Sequence, residues 1–132
     1  MIASLGTVAV LAHIIIVLLH GVAHTRLGIE LSVWQKSYAA IVIVAAPLVA
    51  AVLLWTRHVG LGLFLLAASM AGSLIFGGYY HYVAVSPDHV SHLPPGDAQS
   101  LFQMTAILLV ATEAVGLAVG LFGLQRLRAK AS

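Results

Sequence analysis

The sequence predicts an all-α integral membrane protein: a four-helix bundle running up-down-up-down, with both termini on the same side, in a single domain over residues 1–132. Three observations predict it. Of 132 residues, 61% are hydrophobic and only 8% charged, with a mean hydropathy of +1.07; a soluble domain carries roughly a quarter of its residues charged. Four apolar runs are each long enough to cross a hydrocarbon core of ~30 Å. The links between them are short, which makes sequential helices antiparallel neighbours.

The first helix is expected over about 2–24. It lacks a basic leading segment, carries histidines within its apolar stretch and exceeds the length of a signal-peptide core, so it reads as a retained span. The second, about 36–56, is the shortest and contains Pro47, which frees a backbone carbonyl and kinks a helix. Thr56-Arg57-His58 leads into the third, about 59–82, and an outer loop over 84–99 leads into the fourth, about 100–124. Small residues four apart, Ala46 with Ala50, Ala68 with Gly72 and Gly116 with Gly120, let helix backbones approach closely. Trp34, Tyr38, Trp55, Tyr79, Tyr80 and Tyr82 fall at helix ends, where aromatic side chains sit at the membrane surface.

Basic residues set the expected orientation. Arg57, Arg126, Arg128 and Lys130 lie on one side, Arg26 and Lys36 on the other, and the 84–99 loop has neither Lys nor Arg. Lys and Arg concentrate on the cytoplasmic side. The expectation is an integral protein of a prokaryotic inner membrane, with cytoplasmic termini and a periplasmic or extracellular loop. The net charge of +2 is too small and scattered for a nucleic-acid partner. The basic tail 125–130 suits anionic headgroups. The expected partners are therefore the lipid bilayer and, in addition, other membrane subunits or a homo-oligomer.

With no cysteine in the chain, disulfides, iron–sulfur clusters, thiol catalysis and covalent c-type haem are excluded. A metal would be held by His, carboxylate, Met or main-chain oxygen. Seven histidines are many for so apolar a chain. His13, His20 and His24, spaced seven and four apart, fall within about 40° of arc on one helix face. The His20/His24 pair has the spacing with which helical motifs clasp a zinc ion, although the glutamate of those motifs is absent. Antiparallel helices bring His81 to the same level, and the loop adds Asp88, His89 and His92. The candidate metal or cofactor residues are thus His20, His24, His81, Asp88, His89 and His92. Two readings compete with it: a hydrogen-bonded structural cluster, and a set of interfacial and solvated histidines that share no role.

Two ionisable residues are expected deeper. His13 lies eleven residues inward of His24, and Glu113 falls thirteen residues into the fourth helix. Such groups are costly inside a membrane unless paired, so His13 and Glu113 are expected to face each other, with Thr105 and Thr112 nearby. The alternative is a protonated Glu113 bonded to a carbonyl. Ser69 and Ser73 are expected to bond back to their own helix. No phosphate-binding glycine loop and no serine triad is present, and the three methionines do not repeat as a copper relay would, though Met104 is within possible reach of the outer cluster.

The pattern of four short helices with outward histidines resembles that of small haem-binding membrane subunits, copper-handling membrane proteins and accessory subunits of respiratory complexes. It matches none of them residue by residue, so no functional residues carry over. Three functions follow as expectations. One is a histidine-rich site at the outer face for copper, zinc or iron, or for haem b between His20 or His24 and His81. The second is a non-catalytic accessory or assembly subunit of a larger oxidoreductase-type complex. The third is an oligomeric proton or ion transporter using His13 and Glu113. Whether any of these is enzymatic is left open by the sequence.

Overall fold

In the computed structural model, which describes residues 1–131, the chain folds into four helices long and apolar enough to cross a membrane: α1 (Ile2–Leu27), α2 (Val33–Leu53), α3 (Val59–Tyr82) and α4 (Gln99–Ala131). No strand occurs among the described residues. The fold is the all-helical membrane bundle that the composition required.

Local chemistry sets the helix ends. Gly28, at φ 63°, closes α1 in the left-handed conformation that glycine adopts without strain, and its N–H returns to the carbonyls of His24 and Thr25. Ser32 then caps α2. Its hydroxyl accepts from Gln35 N at 3.3 Å, and Gln35 Oε1 accepts from Ser32 N at 2.8 Å. This reciprocal pair starts α2 at Val33, ahead of its aromatic Trp34 and Tyr38.

Pro47 does not interrupt α2 but changes its winding. Residues Ala39–Ala45 form a π-helical stretch, with Ala46 N–H bonding to Ile41 O, five residues back. Proline offers no N–H to Ile43 O and its ring crowds that carbonyl. Widening the preceding turns accommodates both effects.

At one end of the bundle, Val10, Ala50, Leu54, Leu63, Leu66 and Met70 form the core, with Leu117, Leu124 and Leu127 of α4 against it. A methyl group on Gly120 would stand only 2.9 Å from Ala67 N and 3.0 Å from Leu63 O, so the α3–α4 approach is closed by the absence of a side chain. At the other end, the histidine end, a second cluster joins Ala23, Leu27 and Ile29 to Ala98, Phe102 and Ala106. α4 packs along both α1 and α3, whereas α2 leans mainly on α3. Large apolar side chains such as Leu18, Ile41, Phe64, Ile75 and Ile107 remain exposed on the outside, where lipid is their solvent.

Candidate functional site

The histidine stripe of α1 faces inward. His20 is buried and His24 half-buried, which places both imidazoles beside the last turn of α3 and the first turns of α4. Phe102 of α4 forms the floor, its ring centroid 4.5 Å from that of His20, 5.2 Å from His24 and 5.3 Å from His81.

Asp88 enters this group from the connection between α3 and α4. Its Oδ1 lies 3.1 Å from His24 Nε2 and 3.4 Å from His81 Nδ1. His24 Nε2 is also 3.2 Å from His20 Nε2. The approach of His24 to Asp88 is one of distance, not direction: Asp88 Oδ1 is buried without a well-aligned hydrogen bond. One ligand atom each from His20, His81 and Asp88 falls within 4.8 Å of the others, and all three residues are buried.

The surrounding bonds fix which nitrogens can act. The Thr105 hydroxyl donates its only proton to the helix carbonyls of Leu101, at 2.7 Å, and Phe102, at 3.0 Å. With that proton on the helix carbonyls, it accepts from His20 Nδ1 at 2.8 Å, the tautomer that leaves His20 Nε2 bare. His81 Nδ1 lies 3.0 Å from the backbone oxygen of Asp88. A carbonyl only accepts, so Nδ1 carries the proton and Nε2 is free, beside Gly77. An imidazole anchored through one nitrogen to a hydroxyl or carbonyl is the arrangement that orients the other toward an ion. Burial works against ionisation of Asp88, but His24 and His81 overcome it and hold the carboxyl below the usual carboxylate range.

A cavity of 320 Å³ adjoins the cluster. His20, His24, His81 and Asp88 line one end, Glu30 and Lys36 lie at its rim, and Glu113 lies at its inner end. Glu113 and His13 are 2% and 0% exposed, and His13 Nδ1 stands 4.0 Å from Glu113 Oε1. On the other side of the ring, His13 Nε2 donates to Ile43 O at 3.0 Å, the carbonyl that Pro47 leaves without its usual helix partner.

The remaining expected residues lie elsewhere. His89 and His92 pair with each other, Nδ1 to Nδ1 at 3.1 Å, on the outer part of the loop. Thr105 is not near Glu113: eight residues along α4 separate them by ~12 Å, and it serves His20 instead. Thr112 bonds its own helix at Leu108 O and Leu109 O. Met104 is exposed on the outside of α4 rather than turned to the cluster. Ser69 and Ser73 do bond back to α3, at 3.2 and 2.9 Å. His58, at the start of α3, takes Arg57 Nε at 3.3 Å, at the bundle end opposite the cluster.

Sequence reasoning missed the role of Thr105, the Phe102 floor and the Ile43 carbonyl as the partner of His13. Of these, only the last had a sequence signal, the proline four residues after Ile43.

The chain matches no protein-family model, no curated protein and no solved structure. What the molecule shows is a membrane bundle with a buried His/Asp group able to hold a metal ion, and its function is argued from that geometry.

Proposed function

We propose that this protein binds a divalent transition-metal ion at the outer membrane face, through His20, His24, His81 and Asp88. The observation that carries the reading is the spacing of the candidate ligand atoms. Four ligands on a tetrahedral ion at about 2.0–2.2 Å stand about 3.3–3.6 Å from one another. The approaches of His24 Nε2 to His20 Nε2 and to Asp88 Oδ1 are 3.2 and 3.1 Å. Three imidazoles, one carboxylate and no sulfur suit zinc, and next to it copper(II) or iron(II). The second nitrogens of His20 and His81 are already held by Thr105 and the Asp88 carbonyl, as metal-ligating histidines usually require.

Haem b fits less well. The His20 and His81 ring centroids are 4.7 Å apart, with Phe102 packed against both, so no slab for a porphyrin separates the two imidazoles. His89 and His92, paired at the loop surface, are better read as flanking groups than as ligands. The outer location follows from the lysine- and arginine-free loop that delivers Asp88.

The test is zinc titration of the purified chain in lipid nanodiscs, with cobalt as a spectroscopic stand-in. The wild type takes up one ion per chain; His20→Ala and His24→Ala each lower the content, and His58→Ala does not. Wild type that remains metal-free after loading would refute the reading.

A further inference from the structure

The cavity ends at Glu113, which with His13 makes a second pair of groups that the ion site does not use. Glu113 Oε2 and His13 Nδ1 are buried and have no hydrogen-bond partner. Because His13 donates Nε2–H to Ile43 O, a neutral ring presents Nδ1 as an acceptor. An ionised Glu113 is an acceptor as well. Two acceptors facing each other at 4.0 Å in a lipid-embedded core are mutually unfavourable, and a single proton resolves them: held on the carboxyl, it is donated toward Nδ1.

Access to this pair is lopsided. On the histidine side, the cavity that reaches Glu113 has room for several waters at ~30 Å³ each, and it is open at a rim carrying Glu30 and Lys36. On the other side, the next layer is closed: Val10, Leu63, Leu66 and Met70 are each 0% exposed, with Met70 packed against Gly116. The segments that form that end of the core, 2–12, 46–54, 59–70 and 114–124, carry no ionisable side chain.

We infer that His13 and Glu113 form a one-proton site within the membrane, loaded and emptied only from the histidine end through this cavity. The site needs no ion at the histidine cluster. The groups that bias its occupancy face it from each packed element. His20 and His24 stand on the α1 face that carries His13, and Lys36 lies on α2. His81 and Tyr82 lie at the end of α3, and Glu30 and Asp88 come from the two connections at that end. Protonation therefore reports the electrostatic state of the whole histidine end.

Infrared difference spectroscopy on the full chain, held in one orientation in phosphatidylcholine vesicles, tests this. A pH step at the histidine end should change a protonated-carboxyl band that is lost in Glu113→Gln and retained, shifted, in Glu113→Asp. The same step at the opposite end should leave the band unchanged. Ala39→Leu, which adds bulk to the cavity wall, should slow the response several-fold without removing the band, and His24→Ala should keep the band while lowering zinc content. A band that responds equally from both ends, or no band that Glu113→Gln removes, would overturn the inference.

Discussion

Replacing Thr105 by valine removes one oxygen from a residue that would touch no metal ion. The side chain keeps its shape and branching, and the backbone bonds of α4 are untouched. His20 Nδ1–H loses its acceptor at 2.8 Å and, at a residue only 7% exposed, has no solvent to replace it. A buried donor left unsatisfied costs about 1–3 kcal/mol. The ring can avoid that cost only by moving its proton to Nε2 or by rotating, and either change withdraws the lone pair from the cluster. At about 1.4 kcal/mol per tenfold, zinc affinity should fall about 5- to 150-fold, a span centred on the ~10–100-fold typical of losing such anchoring groups. Competition against a chromophoric chelator in nanodiscs reads this directly. Thr112→Val, which removes a hydroxyl bonded only to its own helix, is the control and should bind as wild type does. If Thr105→Val also binds zinc as wild type does, the assignment of His20 Nε2 as a ligand is wrong.

Further outcomes follow from the same geometry. Zinc binding should weaken as the pH falls below ~6, because only neutral imidazoles bind, and a pH-independent affinity would contradict a histidine site. Asp88→Asn should weaken zinc binding and lower stability at pH 7, because it removes the charge that His24 and His81 favour. The Asp88 carboxyl is depressed in the folded state, so its contribution is complete above its ordinary value and lost as pH falls through the folded one; the gap between wild type and Asp88→Asn in denaturant melts should close below pH ~4. Gly120→Ala places a methyl group against α3 backbone and should cost ~1–3 kcal/mol in thermal unfolding, whereas Gly78→Ala meets nothing within 4 Å and should be near neutral. A reporter fused after Ser132, which lies outside the described residues, should read cytoplasmic, and one inserted near Gly96 should read external.

The fold was legible because it rests on composition. Apolar runs of spanning length leave the chain few alternatives, and helical period alone puts the α1 histidines on one stripe; that the stripe faces inward is set by packing. The candidate site was legible in its ingredients but not in its partnering. Spacing on α1 put His20 and His24 together, and short links brought His81 to their level. Nothing in the sequence told Asp88, which turns in to the cluster, from His89 and His92, which pair at the surface, because an irregular loop has no period from which to read direction. The pairing of Thr105 with His20 depends on the relative heights of α1 and α4. That offset is decided by packing of residues such as Phe102 and Ala23, not by either helix alone. Pro47 was recognisable as a source of a spare carbonyl; that the spare carbonyl belongs to a histidine 30 residues earlier was not.

The connection between α3 and α4 has no regular structure, yet it is fastened at several points. Val90 N–H bonds His81 O at 3.0 Å, Asp88 O receives His81 Nδ1, Gln103 Nε2 reaches Val90 O at 3.0 Å, and Gln99 Nε2 reaches Pro94 O at 2.9 Å. One of those fastenings passes through the same aspartate that would hold an ion. The segment thus behaves as a latch whose seat is part of the lock: drawing it off would take Asp88 from the cluster and from the cavity wall in one movement. Chelation and proteolysis within 84–98 should accordingly be coupled, with zinc protecting the segment from cleavage in proportion to its occupancy. A cut there would in turn release the ion, although every imidazole of α1 and α3 would still be in place.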